Sequence, residues 1–245
     1  MSRIERQPAF VLHQRPYRET SALLEVLTRD HGRVGLVARG LRGARPRFPR
    51  GVVVPLQALE LDWLARGELG LLVAAEPVGT PMPIAGSALL SAIYVNELLV
   101  RLLPRHVPHP ELVTRYARLL GDLCHGEPAS QGWALRRFER DLLGSLGVAP
   151  PLDRDAAGHA LDPDARYRLS PEAGAIAVGV AESRVETVSG RALLALADDA
   201  MPDREALEEL RRTFRALIAH QLGGRPLKAW SLGGPTGGAR GRSPR

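Results

Sequence analysis

Lysine is nearly absent from this chain of 245 residues: Lys228 is the only one, so its basic side chains are almost all arginine and carry it to a formal charge of +6 and a pI near 10.3. Cysteine is scarcer than chance too, with Cys124 alone. A single thiol excludes an internal disulfide and any multi-thiolate metal cage, and fits a reducing compartment. No apolar run approaches the roughly 18 residues of a membrane span. The opening MSRIERQPAF has charges where a secretory leader needs an apolar core. These absences predict a cytoplasmic protein with no membrane partner. No GxxxxGK[ST] or GxGxxG phosphate loop and no G-x-S-x-G nucleophile elbow occurs, which argues against nucleotide hydrolysis and serine catalysis. Cys124, near a helix end, reads as a small apolar packer.

What is present is lopsided. Between Asp30 and Glu60 there is no carboxylate, while Arg33, Arg39, Arg42, Arg45, Arg47 and Arg50 all fall inside. A run of arginines broken by glycine and proline cannot neutralise itself and calls for an external anion. A second basic pole follows Glu209, after which there is no acid but there are Arg211, Arg212, Arg215, Arg225, Lys228, Arg240, Arg242 and Arg245.

The first eighty residues read as β structure. Short apolar or alternating runs cover Ala9 to Gln14, Ser21 to Thr28, Arg33 to Gly40, Val52 to Leu64 and Leu69 to Val78, with turn chemistry at RDHG and ARGE. Five strands at hairpin spacing suggest a small closed barrel of the OB type; a sandwich fragment or an SH3-like barrel has the same pattern. After three prolines in PVGTPMP the period becomes helical, over Gly86 to Pro104, His109 to Cys124, Gln131 to Gly147, Ser189 to Asp199 and Asp203 to Gly223, the last with Asp203 as N-cap. The expected class is α+β: an N-terminal five-stranded OB-type barrel over 1–80 and a mainly α-helical domain over 81–232. A small irregular subdomain with a possible hairpin sits at about 150–180, and a disordered basic tail over 233–245. Asn96 and Glu97 interrupt an apolar helix and are expected to hydrogen-bond inside the domain.

Three kinds of chemistry are weighed. His106, His109, Cys124 and His125 are too loosely spaced to predict a metal, and no metal or other cofactor is expected. Asp153, Asp155, Asp162 and Asp164 would be the acids of a metal-dependent nuclease, but they crowd a segment that reads as a solvated loop. The basic loop with aromatics is the favoured option, because single-stranded nucleic acid is held by a cationic groove with aromatic platforms. Phe10 and Trp63 are expected in the core. Phe48, between Arg47 and Pro49, has no apolar neighbourhood in sequence and is assigned a base contact. In the helix from Gln131 to Gly147, Leu135, Phe138, Leu142 and Leu146 form the core stripe; Arg137 has Asp141 at i,i+4, which leaves Arg136 as the cation for an outside ligand.

Four pieces in order, AFVLHQRPYRETSALLEVLTRDHGRVGLVARGLR, YVNELLVRLLP, LRRFERDLLGSLG and LGGRPLK, resemble the RecO family of bacterial DNA repair and recombination mediators. The resemblance covers most of the chain. It implies an OB domain followed by a helical domain, binding to single- and double-stranded DNA, and annealing of complementary strands. It also implies contact with the acidic C-terminal tail of single-stranded DNA-binding protein and, with the partner RecR, loading of the RecA recombinase, all without enzymatic activity. It puts the DNA surface on Arg33, Arg39, Arg42 and the loop with Arg45, Arg47, Phe48 and Arg50, and the tail pocket near Arg136, Arg137 and Arg140 in LRRFER. Many relatives carry a four-cysteine zinc site after LG-x-x-P; here that stretch reads LDRDAAGHAL, with Asp155 and Gly158 at the first expected thiolate pair, so this subdomain is expected to hold by packing alone. An RNA- or ribosome-binding OB protein is the alternative.

Overall fold

The computed structural model describes residues 2–42, 45–179 and 186–232. Five strands, β1 (Ser2–Tyr17), β2 (Ser21–Thr28), β3 (Gly32–Ala38), β4 (Ala58–Ala65) and β5 (Leu69–Pro77), close a barrel in the order β1-β2-β3-β5-β4, as the OB reading expects. Closure depends on β1, which is 16 residues long and pairs antiparallel with β2 through its second half and with β4 through its first. It can serve both neighbours because it bends. Register shifts fall between Ile4 and Gln7 and between Val11 and His13, and Arg6 at the first takes a left-handed φ of 49°. The ring is completed by a short parallel pairing of Gly35–Val37 with Leu69–Leu71.

Two strand boundaries differ from expectation. β1 begins at Ser2, seven residues before the apolar run, and β4 begins at Ala58, six residues later than Val52. The stretch over 52–57 cannot be strand throughout: Pro55 has no N–H to donate and Leu56 is left-handed at φ 72°.

The helices are α1 (Gly86–Leu102), α2 (Pro110–His125), α3 (Pro128–Ser145), α4 (Gly190–Ala197), α5 (Arg204–Gln221) and α6 (Lys228–Leu232). As expected, Asp203 caps α5, its carboxylate accepting from the Ala206 N–H at 2.8 Å. The hairpin near 167–178 is β6 (Arg166–Ser170) with β7 (Gly174–Ala177), joined by β8 (Val188–Ser189). Neither β8 nor α6 was expected, each being too short for a period to register. The expected basic tail over 233–245 lies outside the described residues.

Residues 9 to 12 are buried without interruption because alternate side chains leave a strand on opposite faces. Ala9 and Val11 enter the barrel core with Leu24, Val26, Leu36, Leu59 and Leu61. Phe10 and Leu12 point outward into the helical core with Leu98, Leu99, Tyr116 and Phe138. Phe10 meets Tyr116 edge to face, with centroids 5.0 Å apart. Asn96 fixes the same junction: its amide donates to the Leu12 carbonyl at 2.9 Å, and its oxygen accepts from the Tyr116 hydroxyl at 2.6 Å. Burial raises the Tyr116 phenol, which therefore stays a neutral donor. Asn96 thus bonds within the helical part, as expected, and ties it to the barrel as well. Glu97 instead accepts from the Lys228 and Ala229 N–H groups, both at 2.9 Å, and so caps α6 from a distant helix.

A second junction joins the β2–β3 turn to the segment after α1. His106 N–H donates to the Arg33 carbonyl at 3.0 Å, and Gly32, at φ 65°, packs so close that a Cβ there would lie 2.1 Å from the Val107 carbonyl oxygen. Both the left-handed backbone and the contact demand glycine. Gly32→Ala is expected to destabilise the fold by about 2–4 kcal/mol, read as a lower urea midpoint at unchanged slope.

The subdomain after α3 is held by more than packing. Leu152, Leu161, Tyr167, Ala175 and Val188 pack on Trp133, Leu193 and Phe214. In addition, Asp155 accepts from the Ala157 and His159 N–H groups, both at 2.9 Å, closing the turn over 155–159. Glu209 accepts from Ser189 N–H and Oγ–H and pairs with Arg166 at 2.7 Å. The His159 N–H bond is the main cause that holds the Asp155 carboxyl below its ordinary value. Its contribution is therefore complete above pH ~3.9, the unfolded value, and lost as pH falls through the lower folded one. Hydrogen-exchange protection of the Ala157 and His159 amides, corrected for intrinsic rates, is expected to fall in that acid window, and in Asp155→Ala to be low at every pH.

Candidate nucleic-acid interface

Barrel closure brings together turns that are remote in sequence. Tyr17, Arg18 and Ser21 at the β1–β2 turn, Val37 and Arg39 at the end of β3, and Arg66, Leu69 and Leu71 at the β4–β5 turn line one cleft of about 130 Å³. Its lining contains three arginines and no carboxylate. Arg18 is held outward by a left-handed backbone, φ 53°, and its guanidinium lies 5.2 Å from the Tyr17 ring centroid. This cation and aromatic pairing is what a flexible anionic strand with stackable bases requires.

The arginine loop borders this cleft, tied down by Arg42 N–H to the Thr20 carbonyl at 2.8 Å and Arg47 N–H to the Gly40 carbonyl at 2.7 Å. Arg39, Arg42, Arg45 and Arg50 are exposed, and none makes an ion pair among the described residues. Two other members differ from expectation. Arg33 is a strand residue locked between the Glu25 carboxylate at 2.6 Å and the Leu103 carbonyl at 3.0 Å, with Arg105 on the same carboxylate. Its guanidinium is already committed to partners inside the protein. Phe48 is 4% exposed and packs in the barrel core, because the loop folds back and buries it with Val53. Its ring does not line the cleft and has no open face for a base. Arg47 remains exposed but is bound to the Val73 carbonyl at 3.1 Å, so it staples the loop to β5. Arg18, Arg66 and Tyr17 are candidate interface residues that the arginine run did not reveal; the sequence signals were their place in the turns of an OB barrel and, for Tyr17, an aromatic ring beside a predicted strand.

The second expected site, on α3, is also rearranged. Arg136 is 7% exposed and forms an ion pair at 2.7 Å with Glu139, which is fully buried, while Tyr94 donates to the same carboxylate oxygen at 2.7 Å. Arg136 is therefore the most internal cation of its helix rather than the free one. Burial raises the Glu139 carboxyl against the opposing pull of Arg136 and the Tyr94 hydroxyl, and pushes the Tyr94 phenol up as well. Arg137 does not pair with Asp141. It binds Asp199 at 3.1 Å, as Arg140 does at 2.8 Å, and Asp141 is taken by Arg115 at 2.7 Å and Arg140 at 2.9 Å. All three α3 arginines are committed to internal partners.

Nearby, α5 offers a cation that is not. Arg215 is exposed, lies 4.6 Å from the Trp230 ring centroid, and is close enough to Tyr94 to act on its hydroxyl. On α1, Leu90 and Ile93 flank Tyr94 in the helix and are each 38% exposed. This face joins exposed apolar side chains to a cation stacked on an aromatic ring.

Among the described residues no group of three or more His, Cys, Asp or Glu side chains is placed to hold a metal ion. Asp153 is paired with Arg154, and Asp162 accepts from the Asp164 N–H.

Residues 1–81 match the family model for the recombination protein O N terminal, and residues 85–231 match that for its C terminal. The chain belongs to the RecO family. It is similar to the DNA repair protein RecO of Xanthomonas euvesicatoria pv. vesicatoria, 47% identical over 232 residues that cover 94% of this chain and 96% of that protein. The DNA repair protein RecO of Xylella fastidiosa strain 9a5c is 44% identical over 232 residues, covering 94% and 95%. This RecO-family chain is thus placed among DNA repair proteins, with the fold and order of parts that its sequence pattern implied. No described helix is long and apolar enough to cross a membrane.

Proposed function

We propose that this chain is a non-enzymatic recombination mediator that binds and anneals single-stranded DNA, contacts the acidic tail of single-stranded DNA-binding protein, and with RecR promotes RecA loading. In this reading residues 1–80 are the DNA-binding unit and residues 81–232 the partner-binding unit. The observation that carries it is the arginine rim of Arg39, Arg42, Arg45 and Arg50, without ion pairs among the described residues, beside a cleft lined by Tyr17, Arg18, Arg39 and Arg66 without a carboxylate. Two complementary strands repel each other through their phosphates, and a surface that neutralises both lowers the cost of bringing them together.

For the tail, the helical face around α3 remains the proposed location, with a change of roles. Arg136, Arg137 and Arg140 hold the face together; Arg215 meets the tail's carboxylates, and Leu90 and Ile93 take its apolar end. The test is annealing of complementary strands coated with single-stranded DNA-binding protein, with and without its tail. Arg215→Ala is expected to abolish most of the tail-dependent gain while annealing of bare strands is kept. An unchanged tail response would sink the assignment, and tighter binding of RNA than of DNA at equal length and salt would favour an RNA-binding protein instead.

A further inference from the structure

A second concavity of the barrel shares Gly70 with the arginine cleft. It measures about 280 Å³, close to the lower end of ligand-sized cavities, roughly 300 Å³. Val34 and Leu36 of β3 give it an apolar wall, and His31, Trp63 and His106 add three aromatic rings. The His31 and Trp63 rings meet edge to face, with centroids 5.3 Å apart at 85°. Two wall positions are glycines on which neighbouring side chains close directly. A Cβ on Gly70 would come within 2.8 Å of Trp63 Cδ1 and 2.7 Å of Leu36 Cδ2, and one on Gly35 within 2.7 Å of Leu69 Cδ2 and 3.2 Å of Arg105 Nη1. No carboxylate lines this cavity.

We infer that this cavity receives one unstacked base of a single strand whose phosphates run along the adjacent arginine cleft; the inference rests on the DNA-binding reading above. A nucleobase is a flat heterocycle with apolar faces and hydrogen-bonding edges, and the lining matches each part. Aliphatic side chains and aromatic rings suit the faces. The ring nitrogens of His31 and His106 can hydrogen-bond base edges without selecting one sequence. The lining has no arginine or lysine, so it does not compete with the cleft for phosphate. Because Gly70 belongs to both linings, a strand crossing it can leave its backbone among the arginines and turn a base inward. Such a base is taken out of the stack with its neighbours, which is the state in which strands are kept apart before they pair.

Trp63 is a reporter inside the cavity. In a Trp133→Phe, Trp230→Phe background its emission is followed while oligothymidylate is added, then an oligomer of equal length with abasic sites. The parent is expected to show a Trp63 response and to bind the full oligomer about tenfold more tightly than the abasic one. Ala65→Leu, which fills the cavity from its rim, is expected to remove the response and cut the tenfold ratio several-fold, with the salt dependence of binding unchanged because no phosphate contact is lost. His106→Gly, which keeps the left-handed backbone at φ 61° and removes one imidazole, is expected to act in the same direction and serves if Ala65→Leu does not fold. An unmoved Trp63 signal and an unchanged ratio with DNA bound overturn the cavity and leave the DNA-binding reading standing. If the parent binds no DNA, it is that reading which fails.

Discussion

Arg136→Ala is expected to lower the unfolding free energy by about 3–5 kcal/mol, because it strands a buried carboxylate without its cation. Glu139 is fully buried, and its second oxygen, Oε2, has no hydrogen-bond partner among the described residues. The Tyr94 hydroxyl then remains as the described side chain that donates to the carboxylate. The loss should depend on pH, with a definite sign. Glu139 has a folded pKa raised above its unfolded value, so the folded state binds the extra proton and stability falls as pH rises through the interval between them. Removing Arg136 raises the folded value further and widens that interval. The destabilisation measured in urea should therefore be smaller at pH 5 than at pH 8. Replacing both partners, as Arg136→Met with Glu139→Leu, should recover most of the loss, since the buried charge is gone. A loss that stays the same from pH 5 to pH 8 would contradict the assignment of Glu139 as the group left unpaired. The practical consequence is that Arg136→Ala confounds any assay of partner binding, whereas Arg215→Ala removes an exposed cation.

Reversal of Arg39, Arg42 and Arg45 to glutamate is expected to weaken single-stranded DNA binding by roughly a hundredfold to a thousandfold at ~50 mM salt. If each contacts one phosphate, the slope of log K against log salt should become shallower by about 2. These side chains are exposed and unpaired within the described structure, so stability should change little, and thermal unfolding provides the control. The same reversal at Arg33 would not be a DNA experiment, because it would place a second carboxylate beside Glu25 with Arg105 as the one cation left between them. Affinity and slope that both survive the triple reversal would remove the arginine loop from the interface.

The barrel and the five longer helices were legible because burial imposes a period, 2 in the strands and 3.6 in the helices, and the sequence keeps to both. The first half of β1 was not, since SRIERQP is polar and is held by pairing with β4 rather than by an apolar pattern of its own. Arg33 could have been read correctly. The turn at Arg29 to His31 sets Leu27 opposite Arg33, which makes Glu25 a diagonal neighbour of Arg33 on the same face. Arg136 could also have been read correctly, because Glu139 lies at i+3, a spacing at which helical side chains meet as readily as at i+4. Phe48 carried no such signal. Its burial is decided by a loop returning over the barrel, and Arg18 and Arg66 likewise reach one cleft only through closure.

One strand of this protein belongs to two interiors at once. The boundary between the two family models, after residue 81 and before residue 85, is a seam in sequence but not in packing. A chain cut there would expose Phe10, Leu12 and Leu27 on the outside of the barrel and leave Asn96 without the Leu12 carbonyl that holds it. The excised barrel would be a sticky body, its arginine cleft intact and its back an oily patch inviting self-association. What separates as two modules on paper is inherited, and must be engineered, as one piece.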